Sequence, residues 1–414
     1  AYVGSWTNVG SVNISFTTNG LGMGTQYYYT FLATNSATNV WARPSTNFTV
    51  RNPGARYWDG GTADIPANGN GASDGGAGTW NTVNNNWWAG WSGVNAVWSN
   101  TSLYRATFGA WPGGDPGNTR YTVTVSSVVA SGLIFTNMGA TSTTGSYYFL
   151  TGGTLALTGR TTSIRMEQGC SANTRVVEIA STLAGSSNIG TVVVGSEAFL
   201  FLSGNNTFSG TLTICSNLLV NINNVNSLGV TNSPTIVNAG GTLGAYGTTA
   251  YEEWLTLSGS GLGARGALRL SSSPVWRGAI TLATNASIQL YNGGTNSIAC
   301  PIGGSGNLTY DFNTAASTVY VSQAGAYVGD TILSASSTIH GDMVMNGANL
   351  LPTNTILRLS AASQRNMFFE LNGYDQQLGG ITASGNGTNR VINNNAAAAT
   401  LTINGLYTNT YGGM

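Results

Sequence analysis

A serine in a glycine-rich segment is the first residue whose surroundings suggest chemistry. Residues 71–75 read GASDG, which fits the G-x-S-x-G pattern of a serine nucleophile held on a sharp turn between a strand and a helix. Here glycine-rich sequence surrounds the pattern, and the single histidine, His340, lies far downstream. We therefore interpret Ser73 as a turn residue and not as a nucleophile.

Four further titratable residues stand close enough in sequence to act as pairs. His340 and Asp342 are two residues apart in a strand-like run, so their side chains would share one face of a strand. No nucleophile is evident beside them. Glu252 and Glu253 are adjacent and would point to opposite faces of one strand, so they cannot flank a single glycosidic bond as a catalytic pair.

The remaining candidate ligands are widely spaced. Asp311 and Asp330 lie about one repeat apart and, if stacked, would suit Ca²⁺ or a sugar-cleaving site. With only 14 acidic residues in the chain, a chance spacing explains them better. Cys170, Cys215 and Cys300 show no metal-ligand spacing, and buried thiols and one disulfide are about equally compatible with them. We expect no catalytic, cofactor-binding or metal-binding residues, and no enzyme.

The composition also restricts what the surface can bind. Glycine accounts for 58 of 414 residues, charged residues for 7% and hydrophobic residues for 41%, and the formal net charge is zero. The chain can therefore bury a core, but its surface must consist mainly of Asn, Thr, Ser and Gly. All 14 basic residues are arginine. A neutral chain of this kind lacks the basic patch that nucleic-acid binding requires, and no apolar run of about 18 residues predicts a membrane span.

Short β-strands must supply the framework. From residue 121 onward, runs of three to five apolar-alternating residues recur between glycine and asparagine turns, which tolerate positive φ angles. The clearest runs are residues 121–125, 154–157, 200–202, 211–214, 255–257, 267–270, 287–290 and 401–403. We expect an all-β parallel β-helix of about 12–15 turns, each of roughly 20–25 residues. Val123, Val125, Leu200 and Leu202 are expected to point inward.

Three segments are predicted. Residues 1–52 resemble the C-terminal half of a fibronectin type III β-sandwich, because Leu21 precedes Tyr27 by six residues, as in a tyrosine corner. Residues 53–120 form a Trp/Gly-rich linker and cap, and residues 121–414 form the β-helix. The tryptophans of the second segment are expected to fill the cap's core rather than to form a sugar-binding platform; they are Trp58, Trp80, Trp87, Trp88, Trp91, Trp98 and Trp111.

From residue 57 onward the chain resembles the autotransporter-associated β-strand repeat proteins of bacteria. The motifs that carry the resemblance occur in the family's order: residues 58–61 (WDGG), 78–81 (GTWN), 106–109 (ATFG), 130–135 (ASGLIF), 150–155 (LTGGTL), 203–210 (SGNNTFSG) and 371–380 (LNGYDQQLGG). The resemblance implies a right-handed parallel β-helix that is exported and displayed outside a bacterial cell.

The scarcity of candidate catalytic groups favours a structural function. We expect an extracellular structural protein, either a surface rod or the subunit of a self-assembling fibre. The alternatives are a carbohydrate-binding adhesin that contacts surface glycans and a polysaccharide-active β-helix enzyme. The chain begins within half a sandwich and stops within a repeat, so we expect end-to-end self-association, because an open contact of this kind yields fibres. We expect no nucleic-acid partner and no membrane insertion.

Overall fold

The protein is described by a computed structural model. It describes residues 26–30, 32–34, 38–41, 46–49, 54–60, 73–90, 94–109, 120–136, 147–159, 162–167, 176–335, 340–405 and 409–410. The chain divides into two compact units, the first ending at Ala55 and the second beginning at Arg56.

The N-terminal unit contains short antiparallel strands. They are β1 (Gln26–Tyr29), β2 (Leu32–Thr34), β3 (Asn39–Trp41) and β4 (Thr46–Thr49). β1 pairs with β4, and β2 pairs with β3. Residues 12–16 and Leu21, on which the fibronectin type III interpretation partly depends, lie outside the described residues, so that interpretation stays a prediction.

The second unit is made almost entirely of strands. The strands up to the first complete turn are β5 (Ala55–Trp58), β6 (Gly78–Trp80), β7 (Trp87–Trp88), β8 (Asn95–Ala96), β9 (Arg105–Phe108), β10 (Arg120–Val125), β11 (Val128–Ala130) and β12 (Gly132–Phe135). The next are β13 (Tyr147–Gly152), β14 (Thr154–Leu157), β15 (Thr162–Met166), β16 (Val176–Ile179), β17 (Thr182–Ala184), β18 (Ile189–Val193), β19 (Ala198–Leu202), β20 (Leu212–Ile214), β21 (Leu218–Ile222), β22 (Thr235–Val237), β23 (Thr242–Tyr246), β24 (Ala250–Tyr251) and β25 (Leu255–Gly259).

A single-turn 3₁₀ segment, Leu262–Ala264, precedes the remaining strands. These are β26 (Leu268–Ser271), β27 (Val275–Trp276), β28 (Ile280–Tyr291), β29 (Gly294–Ile298), β30 (Ile302–Gly304), β31 (Leu308–Asn313), β32 (Ser317–Val321), β33 (Thr331–Ala335), β34 (His340–Met345), β35 (Ile356–Ala361), β36 (Asn366–Glu370), β37 (Gln376–Leu378), β38 (Gly380–Ser384), β39 (Thr388–Ile392) and β40 (Leu401–Ile403).

From β10 onward the strands stack in parallel as three columns. Column 1 contains β10, β13, β16, β19, β21, β23, β26, the second half of β28, β31, β33, β35 and β38. Column 2 contains β11, β14 and β17, and then β24, β27, β29, β32, β34, β36 and β39. Column 3 contains β12, β15, β18, β20, β22, β25, the first half of β28 and β30, with β37 and β40 paired at later turns. The chain therefore winds as a β-solenoid of about 11 turns.

Column 1 has an apolar inner side, and this explains why the solenoid folds. One inner row runs in unbroken register through ten turns, and each member is at most 1% exposed. It consists of Tyr148, Val177, Leu200, Val220, Leu243, Leu268, Ile288, Tyr310, Leu333 and Leu359. Each turn alone would expose this row, so stacked neighbours are needed to bury it. The inward positions predicted for Val123, Val125, Leu200 and Leu202 are confirmed.

The tryptophan-rich segment packs beneath the first turn. Trp58, Trp80, Trp87 and Trp98 are at most 1% exposed, and the rings of Trp80 and Trp98 meet edge to face with centroids 4.9 Å apart. β6 pairs in parallel with β10, and β9 pairs in parallel with β12. The cap therefore joins the same ladder as the solenoid, and its core is aromatic.

The repeat motif at residues 203–210 forms a corner between columns. Gly204 and Gly210 pass so close to the previous turn that a Cβ would lie 2.5 Å from the carbonyl oxygen of Ser181 or 2.1 Å from that of Ser187. The Asn206 side chain accepts a hydrogen bond from the amide of Leu183 at 2.8 Å and donates one to the carbonyl of Ser227 at 2.6 Å. One buried amide thus links three successive turns.

The predicted all-β parallel β-helix is confirmed, with 54% of residues in strands. The turns are fewer than the 12–15 expected, because several turns are long. Tyr121 pairs with Tyr148, 27 residues later, and Tyr148 pairs with Val177, 29 residues later. Later turns take as few as 20 residues, as from Leu268 to Ile288.

Candidate functional site

Ser73 does not stand in a nucleophile elbow. It is fully buried, and its Oγ donates a hydrogen bond of 3.4 Å to the carbonyl of Gly109. The adjacent Asp74 amide donates to Asp59 Oδ1 at 3.1 Å, and Asn95 Nδ2 donates to Asp59 Oδ2 at 2.7 Å. These contacts give Ser73, Asp59 and Asp74 places in the hydrogen-bonding of the cap.

His340 and Asp342 share the outer face of β34, as predicted. His340 Nε2 lies 2.8 Å from Asp342 Oδ2, and the His340 ring meets the Phe368 ring edge to face at 4.7 Å. The described residues contain no group of three or more His, Cys, Asp and Glu side chains that could hold a metal ion. The pair is therefore an ion-paired feature of the column 2 surface.

Glu252 and Glu253 point in different directions, again as predicted, although they lie in the connection between β24 and β25 and not on a strand. Glu252 pairs with Arg277 at 3.3 Å on the surface. Glu253 is 5% exposed and accepts a hydrogen bond of 3.2 Å from Thr235 Oγ1. Burial raises the pKa of the Glu253 carboxyl to about 8.

This buried carboxyl predicts a stability that depends on pH. The folded pKa of Glu253 exceeds its ordinary value of 4.5, so the stability that the bound proton contributes is complete below about pH 4 and is lost as the pH rises through about 8. Glu253→Gln keeps the neutral form at all pH values. We expect it to raise the free energy of unfolding by about 3 kcal/mol at about pH 9 and to change it little at about pH 4.

Urea denaturation across this pH range is the measurement. Glu252→Gln is the matched control, since the neighbouring carboxyl is exposed and ion-paired, and exposed pairs contribute little. An unchanged pH dependence in Glu253→Gln would contradict the prediction.

The stacking of Asp311 on Asp330 is wrong. The register places Asp311 between Gln289 and Ser334, while Asp330 precedes β33 and its Oδ2 pairs with Arg358 Nε at 2.7 Å. The turn that joins Asp311 to its partner takes 23 residues, whereas 19 separate the two aspartates. A shared Ca²⁺ or sugar-cleaving site at these two residues is therefore not formed.

The cysteines and tryptophans provide no binding surface where the structure describes them. Cys215 and Cys300 are free thiols, and burial raises the pKa of Cys300 to about 12; Cys170 lies outside the described residues. The cap tryptophans Trp58, Trp80, Trp87, Trp88 and Trp98 are buried, which contradicts a sugar-binding platform built from them. Trp91 and Trp111 lie outside the described residues.

The side chains that converge on a cavity lie instead on the outer face of column 1. The outward row there alternates with the inner rows and runs through Phe149, Glu178, Phe201, Asn221, Gly244, Arg269, Gln289, Asp311, Ser334, Ser360 and Ser384. At Arg269, Gln289 and Asp311 this row lines a cavity of about 420 Å³. We call it the outer cavity.

A corner segment forms one wall of the outer cavity. Residues 260–266 connect β25 to β26 and fold over the outward row. Gln289 Nε2 donates to the carbonyl of Ala264 at 3.2 Å, Arg265 pairs with Glu197 at 3.1 Å, and the Leu262 amide donates to Thr242 Oγ1 at 2.8 Å. These contacts hold the wall at three points.

The polar groups of the outer cavity alternate in charge along the solenoid. Arg269 is 9% exposed, and its guanidinium carbon lies 3.4 Å from the centroid of the Tyr291 ring. One turn later, Gln289 Nε2 donates to Asp311 Oδ2 at 2.8 Å. The Nε of Arg269 and the Oε1 of Gln289 are buried without hydrogen-bond partners. A cation, an amide and a carboxylate therefore stand on successive turns, about 4.8 Å apart.

This arrangement suits binding better than catalysis. Asp311 is the one carboxylate among the residues that line the cavity, whereas glycoside hydrolysis commonly uses two. Sequence reasoning missed the outer cavity. The available signal was a polar residue between two inward apolar residues, as in Leu268-Arg269-Leu270 and Ile288-Gln289-Leu290.

Comparison with known proteins places the chain near an autotransporter. It is 28% identical over 400 residues to the "Adhesin BmaC autotransporter" of Brucella suis biovar 1 (strain 1330), a match that covers 86% of this chain and 10% of that protein. No family model matches the chain, and no solved structure matches it significantly. The chain thus resembles an autotransporter passenger β-helix and spans about a tenth of the relative's length. None of the helices in the described ranges has the length and apolar character needed to cross a membrane.

Proposed function

We propose that this chain is a segment of a bacterial surface adhesin, displayed outside the cell, and that it acts by binding and not by catalysis. The observation that carries the proposal is the joint occurrence of a parallel β-solenoid and a 28% identity to an adhesin autotransporter across 86% of the chain. The inner rows of the solenoid are apolar, so its exposed rows are the part that can contact a partner.

The scaffold supports this function through its geometry. Eleven intervals of about 4.8 Å separate the twelve strands of column 1, which gives a continuous face about 50 Å long. Such a face presents one outward side chain per turn at a regular spacing. Membership of the autotransporter-associated β-strand repeat family, a rod function and end-to-end self-association stay part of the proposal.

Display on a non-adherent bacterium tests the adhesin function. We expect cells that display the folded chain to attach to epithelial cell layers at least about tenfold more than cells displaying Leu243→Asp, which places a charge in the apolar interior and unfolds the solenoid. Equal surface levels would be checked with an epitope tag. Equal attachment by the two populations would contradict the proposal.

A further inference from the structure

The outer cavity holds a buried cation that no carboxylate neutralises. Arg269 is 9% exposed, and it forms no ion pair with another described residue, whereas Arg120, Arg265, Arg277 and Arg358 all do. A buried charge is costly unless it is paired. The stack on Tyr291 offsets part of that cost but leaves the positive charge in place.

The structure around Arg269 prepares its guanidinium to receive an anion. The Tyr291 ring fixes its plane at 3.4 Å. Arginine presents a planar fork of donors that matches a carboxylate. The pKa of the neighbouring Tyr246 is raised by burial, so that phenol stays neutral and supplies no counter-charge.

The rest of the cavity lining points to the chemical class of ligand. The other lining side chains are small hydroxyls and amides, including Ser287, Thr309, Asn313 and Ser334, and no aromatic or branched aliphatic side chain lines the cavity. Such a wall offers nothing for a nucleobase or an apolar peptide side chain to pack against. Hydroxyls and amides both donate and accept hydrogen bonds, as the hydroxyls of a sugar do. The volume of about 420 Å³ lies within the range of small-ligand sites.

We propose that the outer cavity binds an acidic saccharide, with the sugar's carboxylate on Arg269 and its hydroxyls on Gln289, Asp311 and the neighbouring hydroxyl side chains. The Gln289 and Asp311 pair, joined at 2.8 Å, offers an acceptor on the carboxylate side and a donor on the amide side. The site lies on the outer face of the solenoid and is assigned from the cavity alone, so it stands or falls independently of cell adhesion.

Calorimetric titration of the purified full chain tests this site. The probes are sodium D-glucuronate, D-glucose as its neutral counterpart, acetate as the bare carboxylate, and inorganic phosphate. We expect glucuronate to bind at least about tenfold more tightly than glucose or acetate, since each lacks one half of the recognition. Comparable binding of glucuronate and glucose, or of glucuronate and acetate, would overturn the assignment, as would tighter binding of phosphate.

Arg269→Met separates a binding function from a structural one. The substitution replaces a buried unpaired cation with an apolar side chain of similar length, which in buried ion sites is often neutral or stabilising. We expect glucuronate binding to weaken by about tenfold or more, while the melting temperature stays equal or rises. Unchanged binding would overturn the proposal, and so would a large drop in melting temperature, because Arg269 would then be a structural residue.

Arg120→Gln is the matched control. Arg120 also belongs to column 1, and its guanidinium carbon lies 3.8 Å from the centroid of the Phe149 ring. It differs in being ion-paired with Glu178 at 3.7 Å and in lying several turns from the cavity. We expect this variant to bind glucuronate like the unmodified chain; an equal loss in both variants would contradict a specific site at Arg269.

Discussion

Trp80→Ala is expected to destabilise the cap by about 4 kcal/mol, the usual cost of removing a fully buried tryptophan. Trp80 is 0% exposed, and its ring lies 5.0 Å from Trp87, 4.9 Å from Trp98 and 5.6 Å from Phe108 between centroids. Its removal would leave a cavity among aromatic rings that interlock and cannot collapse inward without losing their own contacts. Because β6 pairs with β10, we expect the loss to spread to the first turns of the solenoid.

Thermal unfolding followed by tryptophan fluorescence and circular dichroism would measure this effect. The matched control is Trp254→Ala, since Trp254 is 53% exposed and exposed substitutions usually change stability by less than about 0.5 kcal/mol. Hydrogen exchange would show whether protection is lost first in β6, β9 and β10, as expected for local opening. Similar melting temperatures for the two variants would show that the aromatic cluster is not the core of the cap.

Asn206→Ala is expected to have an effect of similar size by a different mechanism. Its side chain is 2% exposed and satisfies the Leu183 amide and the Ser227 carbonyl, which belong to the turns before and after its own. Alanine would leave both backbone groups buried without a partner, at about 1–3 kcal/mol each. The total expected loss of unfolding free energy is therefore about 4 kcal/mol.

The neighbouring asparagine is a natural control for Asn206. Asn205 is exposed and only accepts a hydrogen bond of 2.7 Å from the exposed side chain of Asn226, so Asn205→Ala is expected to cost less than about 1 kcal/mol. Urea denaturation of the two variants is the measurement. If Asn205→Ala proved as destabilising as Asn206→Ala, the bridge between turns would not be the reason that this corner is stable.

The sequence predicts the strands well because each strand is a local pattern. Alternation at Val123 and Val125 requires only that one side of a strand face an apolar interior. The same argument places the tryptophans in a cap, since the chain offers few other large side chains before the first turn. Neither prediction depends on which strand pairs with which.

Register is what the sequence could not provide. Leu268, Ile288 and Leu308 are equally spaced, and Leu268 does pair with Ile288, but Ile288 pairs with Tyr310. The error of two residues arises because the length of a corner varies from one turn to the next. The same variation invalidated the stacking of Asp311 on Asp330, and it hid the outer cavity, which forms only when Arg269, Gln289 and Asp311 fall in one row and a corner folds over them.

Unequal corners also determine how this chain can change over evolutionary time. Three residues, 215–217, separate β20 from β21, whereas eight residues, 260–267, separate β25 from β26, and the inner rows are continuous through both. An insertion or deletion at a corner therefore needs no compensating mutation in the interior, since longer surface loops cost little entropy. Residues 260–266 form a wall of the outer cavity, so ligand preference can diverge by indels in one corner while the ladder beneath stays the same.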